Sequence, residues 1–131
     1  PSLFRHEKHP GLTHLVSDIT SRIAPDRRWE EILPNLLPPG SVSGAPKSAA
    51  LRVIAEHEVV ERGPYCGAFG FVHGERAELS VAIRTFWTTG DKYLRYGTGA
   101  GITWGSEAPN EWEETQLKAR HLISIAGGEL P

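Results

Sequence analysis

Ser106-Glu-Ala-Pro-Asn-Glu-Trp-Glu-Glu-Thr-Gln-Leu-Lys-Ala-Arg-His-Leu-Ile-Ser-Ile-Ala-Gly-Gly128 is the stretch on which the reading of the fold turns. Trp112, Ala119, Leu122, Ile123 and Ala126 recur at helical spacing. One long amphipathic helix with a core-facing stripe is therefore expected, capped by Ser106 or Asn110 and with Pro109 in its first turn. Glu111, Glu114 and Lys118 stand at i, i+3 and i+7, within roughly 60° of one another and beside the stripe rather than opposite it. A solvated face with an i,i+4 Glu114–Lys118 pair is the ordinary reading of that trio. The preceding segment, Tyr96-Gly-Thr-Gly-Ala-Gly-Ile-Thr103, points further. Glycines let backbone amides approach an anion, and clustered carboxylates suit a hard cation such as Mg²⁺. The segment is no dinucleotide fingerprint, because the third glycine and the surrounding βαβ unit are missing.

Outward from this helix the pattern becomes β. Tyr65 to His73 is aromatic and glycine-rich, Gly74-Glu75-Arg76 is a turn, Leu79, Val81 and Ile83 alternate with small or polar residues, and Lys92 to Gly97 returns as a third strand. Three hairpin-linked antiparallel strands between two helices make an α+β arrangement. Arg84 is either an exposed sheet charge or a fork aimed at a carboxylate. Upstream, residues 1 to 10 are polar, and Leu12 to Ile23 alternates as a strand with His14 on one face. A lone histidine there is more often a hydrogen-bonded residue than a catalyst. Pro25 to Leu37 reads as a short helix capped by Asp26, with Trp29, Ile32 and Leu36 on one side, ended by Pro34 and Pro38-Pro39.

Gly40 to Ser48 is a loop that lacks the spacing of a phosphate-binding loop: three residues separate its glycines, and Ala45-Pro46 stands before Lys47. It leads into a helix from Ala45 to Glu58. That helix's N-terminal amides, with Ser41, Ser43 and Lys47, suit a carboxylate, while plain capping by Ser43 explains the same residues.

The 131 residues have the length of one domain. Their 14 basic and 16 acidic residues are well mixed, with no basic stripe for nucleic acid and no apolar run long enough for a membrane. The single cysteine, Cys66, forms no internal disulfide, and the polar start has no signal-peptide core, so a cytoplasmic location is expected.

Four blocks, taken together, carry a resemblance: His14-Leu-Val-Ser17; Gly40-Ser-Val-Ser-Gly-Ala-Pro-Lys47; Arg62-Gly-Pro-Tyr-Cys-Gly-Ala-Phe-Gly70 with Ala82-Ile-Arg-Thr85; and Gly97-Thr-Gly-Ala-Gly-Ile102 followed by Glu111-Trp-Glu-Glu-Thr115 and Lys118-Ala119. In this order the chain resembles the C-terminal half of the chorismate-utilising enzymes, the family of anthranilate synthase component I, para-aminobenzoate (aminodeoxychorismate) synthase component I, isochorismate synthase and salicylate synthase. The resemblance implies part of the chorismate-binding α+β fold, in which antiparallel sheets are flanked by helices.

By position, Glu111 and Glu114 resemble the family's Mg²⁺ ligands. His14 falls near the substrate ring and Lys118 at the edge of the site, the two catalytic candidates. Ser41, Tyr65, Arg84 and the Gly99, Ala100 and Gly101 amides fall where substrate carboxylates are held. Chorismate is a dianion, and a fork, a metal and amide donors suit it. The family domain is about twice this length, so residues 1–131 are expected to be the C-terminal portion of a larger protein, inactive alone and prone to self-associate.

Within the family the look is closest to para-aminobenzoate synthase component I, on Pro39-Gly-Ser41 and His9-Pro-Gly-Leu-Thr-His-Leu-Val-Ser17. That implies Mg²⁺-dependent amination of chorismate for folate, with ammonia from a glutamine amidotransferase subunit or domain. Anthranilate synthase component I is the nearest rival, then isochorismate or salicylate synthase. A non-catalytic binding module is the reading from another class, since two glutamates alone do not complete a six-coordinate Mg²⁺ site.

Overall fold

The computed structural model describes residues 2–9 and 12–129, and the Pro10-Gly11 pair of the His9–Ser17 block lies outside them. The chain is α+β, with antiparallel strand pairs and helices alternating along it. Strands β1 (Ser2–His9) and β2 (Leu12–Asp18) form a hairpin with Glu7 opposite His14 and an irregularity between Ser2 and Arg5. β1 is not visible in the hydropathy pattern, for a physical reason. Its described side chains are exposed except for a half-buried Glu7, so no face of it requires apolar alternation. β2 stops at Asp18 rather than running to Ile23.

Helix α1 (Trp29–Leu36) contains Pro34 rather than ending at it, and Leu37 still donates to Leu33 O at 2.8 Å. It ends at Leu37, whose extended backbone is what a following proline imposes. Asp26 does not cap it, since the cap position is Arg28 and makes no side-chain bond. Gly40–Ser43 forms a helical turn, α2, where the sequence reads as loop. Ser43 is buried there, and its hydroxyl donates to Pro39 O at 2.9 Å instead of capping α3 (Lys47–His57). Lys47 Nζ donates to Asn35 O at 2.9 Å and Leu37 O at 3.4 Å, satisfying carbonyls at the end of α1.

β3 (Ala68–His73) and β4 (Arg76–Val81) pair in register around Gly74-Glu75. The third strand does not join them. β5 (Phe86–Trp87) pairs instead with β6 (Arg95–Tyr96) as a separate ribbon. The cause lies at the end of β4. Cys66 N donates to Ala82 O at 3.0 Å and Ala82 N to Gly67 O at 2.9 Å, after which Arg84, at φ +53°, turns the chain off the sheet.

Helix α4 (Ala108–Ile125) carries proline in its first turn as expected, but neither Ser106 nor Asn110 caps it. Ser106 Oγ accepts from Thr103 N at 2.9 Å, and Asn110 Nδ2 donates to Glu107 Oε2 at 3.0 Å. Of its stripe Ala119 is fully buried and Leu122 and Ile123 are half-buried, while Trp112 is 65% exposed. Among the described residues no helix is long and apolar enough to cross a membrane.

The buried hydrophobics among the described residues are small: Cys66, Ala82 and Ala119. The accessible surface is 10955 Å². A folded monomer of this mass exposes about 6,800 Å². The excess is larger than the roughly 1,600 Å² that a standard protein–protein interface buries. Phe69, Phe71, Leu79, Ile83 and Trp112 all contribute to it. The isolated chain is therefore expected to self-associate at micromolar concentration. Light scattering across a dilution series checks this; a monomer that unfolds cooperatively at low micromolar concentration would contradict it.

Candidate functional site

The glycine-rich segment between β6 and α4 is held from two sides. On one side lies α4: Thr98 Oγ1 donates to Thr115 O at 3.2 Å, and Lys118 Nζ donates to Gly99 O at 3.3 Å. Lys118 also sits 2.5 Å from Glu114 Oε1, so the i,i+4 pair expected from the sequence is present and reaches the loop. On the other side lies Tyr65. A Cβ on Gly97 would come within 2.4 Å of the Tyr65 ring, and one on Gly99 within 3.2 Å of its hydroxyl. Glycine at 97 is thus required by close approach, because a side chain there and the tyrosine ring cannot share the space.

Between these walls opens a cavity of about 1100 Å³. Ser41, Tyr65 and Arg84 line it, as do Gly99, Ala100, Gly101 and Lys118. Seven of the ten site residues named from the sequence therefore meet in one place. Glu111 and Glu114 are not in the lining; they stand one turn apart on α4, and Glu114 is engaged by Lys118. His14 is on the β1–β2 hairpin, facing Glu7, with its ring centroid 5.5 Å from that of His9, and also lies outside the lining.

The lining contains four cations, Arg62, Arg84, Arg95 and Lys118. Three are neutralised locally. Arg62 is received by Glu58 with bonds of 2.8 and 2.5 Å, Arg95 by Asp91 with bonds of 2.8 and 2.5 Å, and Lys118 by Glu114. The Arg95 fork holds the Asp91 carboxyl well below the usual carboxylate range. Among the described residues Arg84 makes no ion pair, which leaves its guanidinium available to an anion in the cavity.

Tyr65 supplies a neutral donor. Burial foremost, then the adjacent Cys66 thiol, pushes its hydroxyl up to about 12. It stays protonated at physiological pH and can give its O–H to a carboxylate. Tyr96 Oη is buried in the same lining without a hydrogen-bond partner among the described residues, a second donor with nothing to bond.

Arg62, Arg95 and Tyr96 line the cavity beside the candidates that the sequence names. Arg62 sits in the Arg62-Gly-Pro-Tyr65 block and could have been weighed with it. The other two carry no local signal, since the β5–β6 pairing brings them to the cavity.

No three histidine, cysteine, aspartate or glutamate side chains converge on one point among the described residues. Glu111 and Glu114 offer two carboxylates, one already engaged by an ammonium; Mg²⁺ is commonly held by one or two carboxylates, with waters and substrate oxygens completing its six positions.

The sequence profile described as chorismate binding enzyme matches residues 1–124. The chain belongs to that family. Among family relatives it is similar to anthranilate synthase component 1 of Saccharolobus solfataricus, 36% identical over 128 residues, covering 97% of this chain and 30% of that protein. It is similar also to the proteins of the same name from Aeropyrum pernix, 35% identical over 95% of this chain and 28% of the relative, and from Synechocystis, 37% identical over 89% and 24%. The chain spans less than a third of the length of these relatives. No solved structure matches it.

The raised Tyr65 value has a consequence for stability. Between pH 10 and about 12 the unfolded chain releases this proton and the folded chain keeps it, so stability falls as pH rises through that window and is unaffected below it. Urea unfolding of the protein and of Tyr65→Phe across this range checks it. The variant should lose part of the alkaline decline, and identical slopes would contradict the assignment.

Proposed function

We propose that residues 1–131 are the C-terminal portion of the chorismate-binding domain of an anthranilate synthase component I-like enzyme. The observation that carries this reading is the 35–37% identity, over nearly the whole chain, to relatives bearing that name. The cavity supports it chemically. Chorismate brings two carboxylates. Arg84, the one lining cation without a carboxylate partner among the described residues, would receive one of them with its planar fork, and the Tyr65 hydroxyl and the amides of Gly99 to Gly101 supply neutral donors. Held at two ends, the ring has one orientation in the site, which lowers the entropic cost of reaction.

Para-aminobenzoate synthase component I is the second reading, and Ser41 after Pro39-Gly40 is the feature that favours it. In either case ammonia would come from a glutamine amidotransferase subunit or domain. Mg²⁺ would use Glu111 and Glu114 only with further oxygen ligands from outside residues 1–131.

The full-length gene product, given chorismate, Mg²⁺ and ammonium, tests the reading by product analysis. Anthranilate is expected. Aminodeoxychorismate would move the chain to the second reading, and no consumption of chorismate would leave the binding-module reading. Arg84→Lys should raise the chorismate KM about tenfold or more, the equivalent of roughly 1.4 kcal/mol or more, because an ammonium cannot make the bidentate contact. An unchanged KM would remove Arg84 from the site.

A further inference from the structure

We propose that Glu58 and Arg62 are positioning residues that hold the Tyr65 ring against the bare α-carbon of Gly97 and thereby fix where its hydroxyl enters the cavity. The ligand in this statement rests on the chorismate reading above; the positioning rests on geometry alone.

Glu58 is the residue that ends α3, and Arg62 lies one turn further on. Both oxygens of the carboxylate receive the guanidinium, Nε at 2.8 Å and Nη2 at 2.5 Å, which fixes the plane of the fork. The same fork carries its Cζ to 5.7 Å from the centroid of the Tyr65 ring, within cation–π range. Backbone geometry shortens the connection, since Tyr65 N donates to Arg62 O at 3.1 Å across the Gly63-Pro64 turn. The ring's other close neighbour is Gly97, where an added Cβ would meet the ring at 2.4 Å. A ring confined by a guanidinium and by backbone has little freedom, and its hydroxyl points along Gly99.

The pairing also says what Arg62 does not do. Its charge is already answered by Glu58, each holding the other in its ionised form. An anion in the cavity is therefore met by Arg84 directly and by Arg62 through Tyr65.

A double-mutant cycle in the full-length gene product separates positioning from direct contact. Arg62→Gln is expected to raise the chorismate KM about tenfold with a smaller effect on kcat, and to add less than about twofold in a Tyr65→Phe background, where there is no hydroxyl left to place. A second readout needs no chorismate: the Gly97 α-proton, followed by NMR with selective glycine labelling, lies against the Tyr65 ring and should lose its ring-current shift in Arg62→Gln. Glu58→Gln, which keeps the guanidinium but weakens its anchor, should move both readouts in the same direction and serves if Arg62→Gln does not fold. Additive effects of Arg62→Gln and Tyr65→Phe, or an unchanged Gly97 signal, would overturn the proposal. If chorismate is not consumed at all, the functional reading fails, and the Gly97 signal still decides the positioning.

Discussion

The contact of the Tyr65 ring with the backbone of Gly97 is the constraint on which the cavity depends. Only a residue without a side chain lets the ring lie there, and the ring in turn forms one wall of the site. α4 closes the other wall through Lys118 and Thr115, so a turn between β6 and α4 is pinned between an aromatic side chain and a helix. Gly97 to Gly101 line the cavity, and a helix further along the chain brings the Lys118 ammonium to the same lining. Gly97 therefore serves space, whereas Gly101 has open room around it.

Part of the cavity lining was legible because its residues sit in local patterns. The GTGAG segment and the Glu114–Lys118 spacing mark backbone or side-chain chemistry within a few residues, whereas Tyr65 is named only through the family resemblance of its block. The site residues that the sequence does not mark, Arg95 and Tyr96, arrive through strand pairing, which no short window records. His14 differs: the resemblance implies a place near the substrate ring, whereas here it stands on a largely exposed hairpin and is not among the residues that line this cavity.

The fold was legible where burial imposes a period and illegible where it does not. α4 and the β3–β4 hairpin have apolar positions at 3.6 and 2 residues and turn residues between them. β1 has no covered face, so its sequence is free of alternation and reads only as a polar segment. The diversion of the chain after Ala82 is decided by two backbone hydrogen bonds and a left-handed Arg84, features invisible to hydropathy. The large exposed apolar area follows from the same fact: each short sheet has two strands, and the described residues provide nothing to lay over most of their faces. A chain that spans less than a third of its relatives' length is compatible with that surplus.

Hydrogen–deuterium exchange of the full-length gene product, with and without chorismate and Mg²⁺, tests the central claim most directly, since it reports where ligand slows backbone opening. Protection concentrated at residues 62–67, 82–85 and 96–101 is the predicted result. Chorismate binding with those segments unchanged and protection confined to the β1–β2 hairpin, or to segments away from this cavity, would contradict the account.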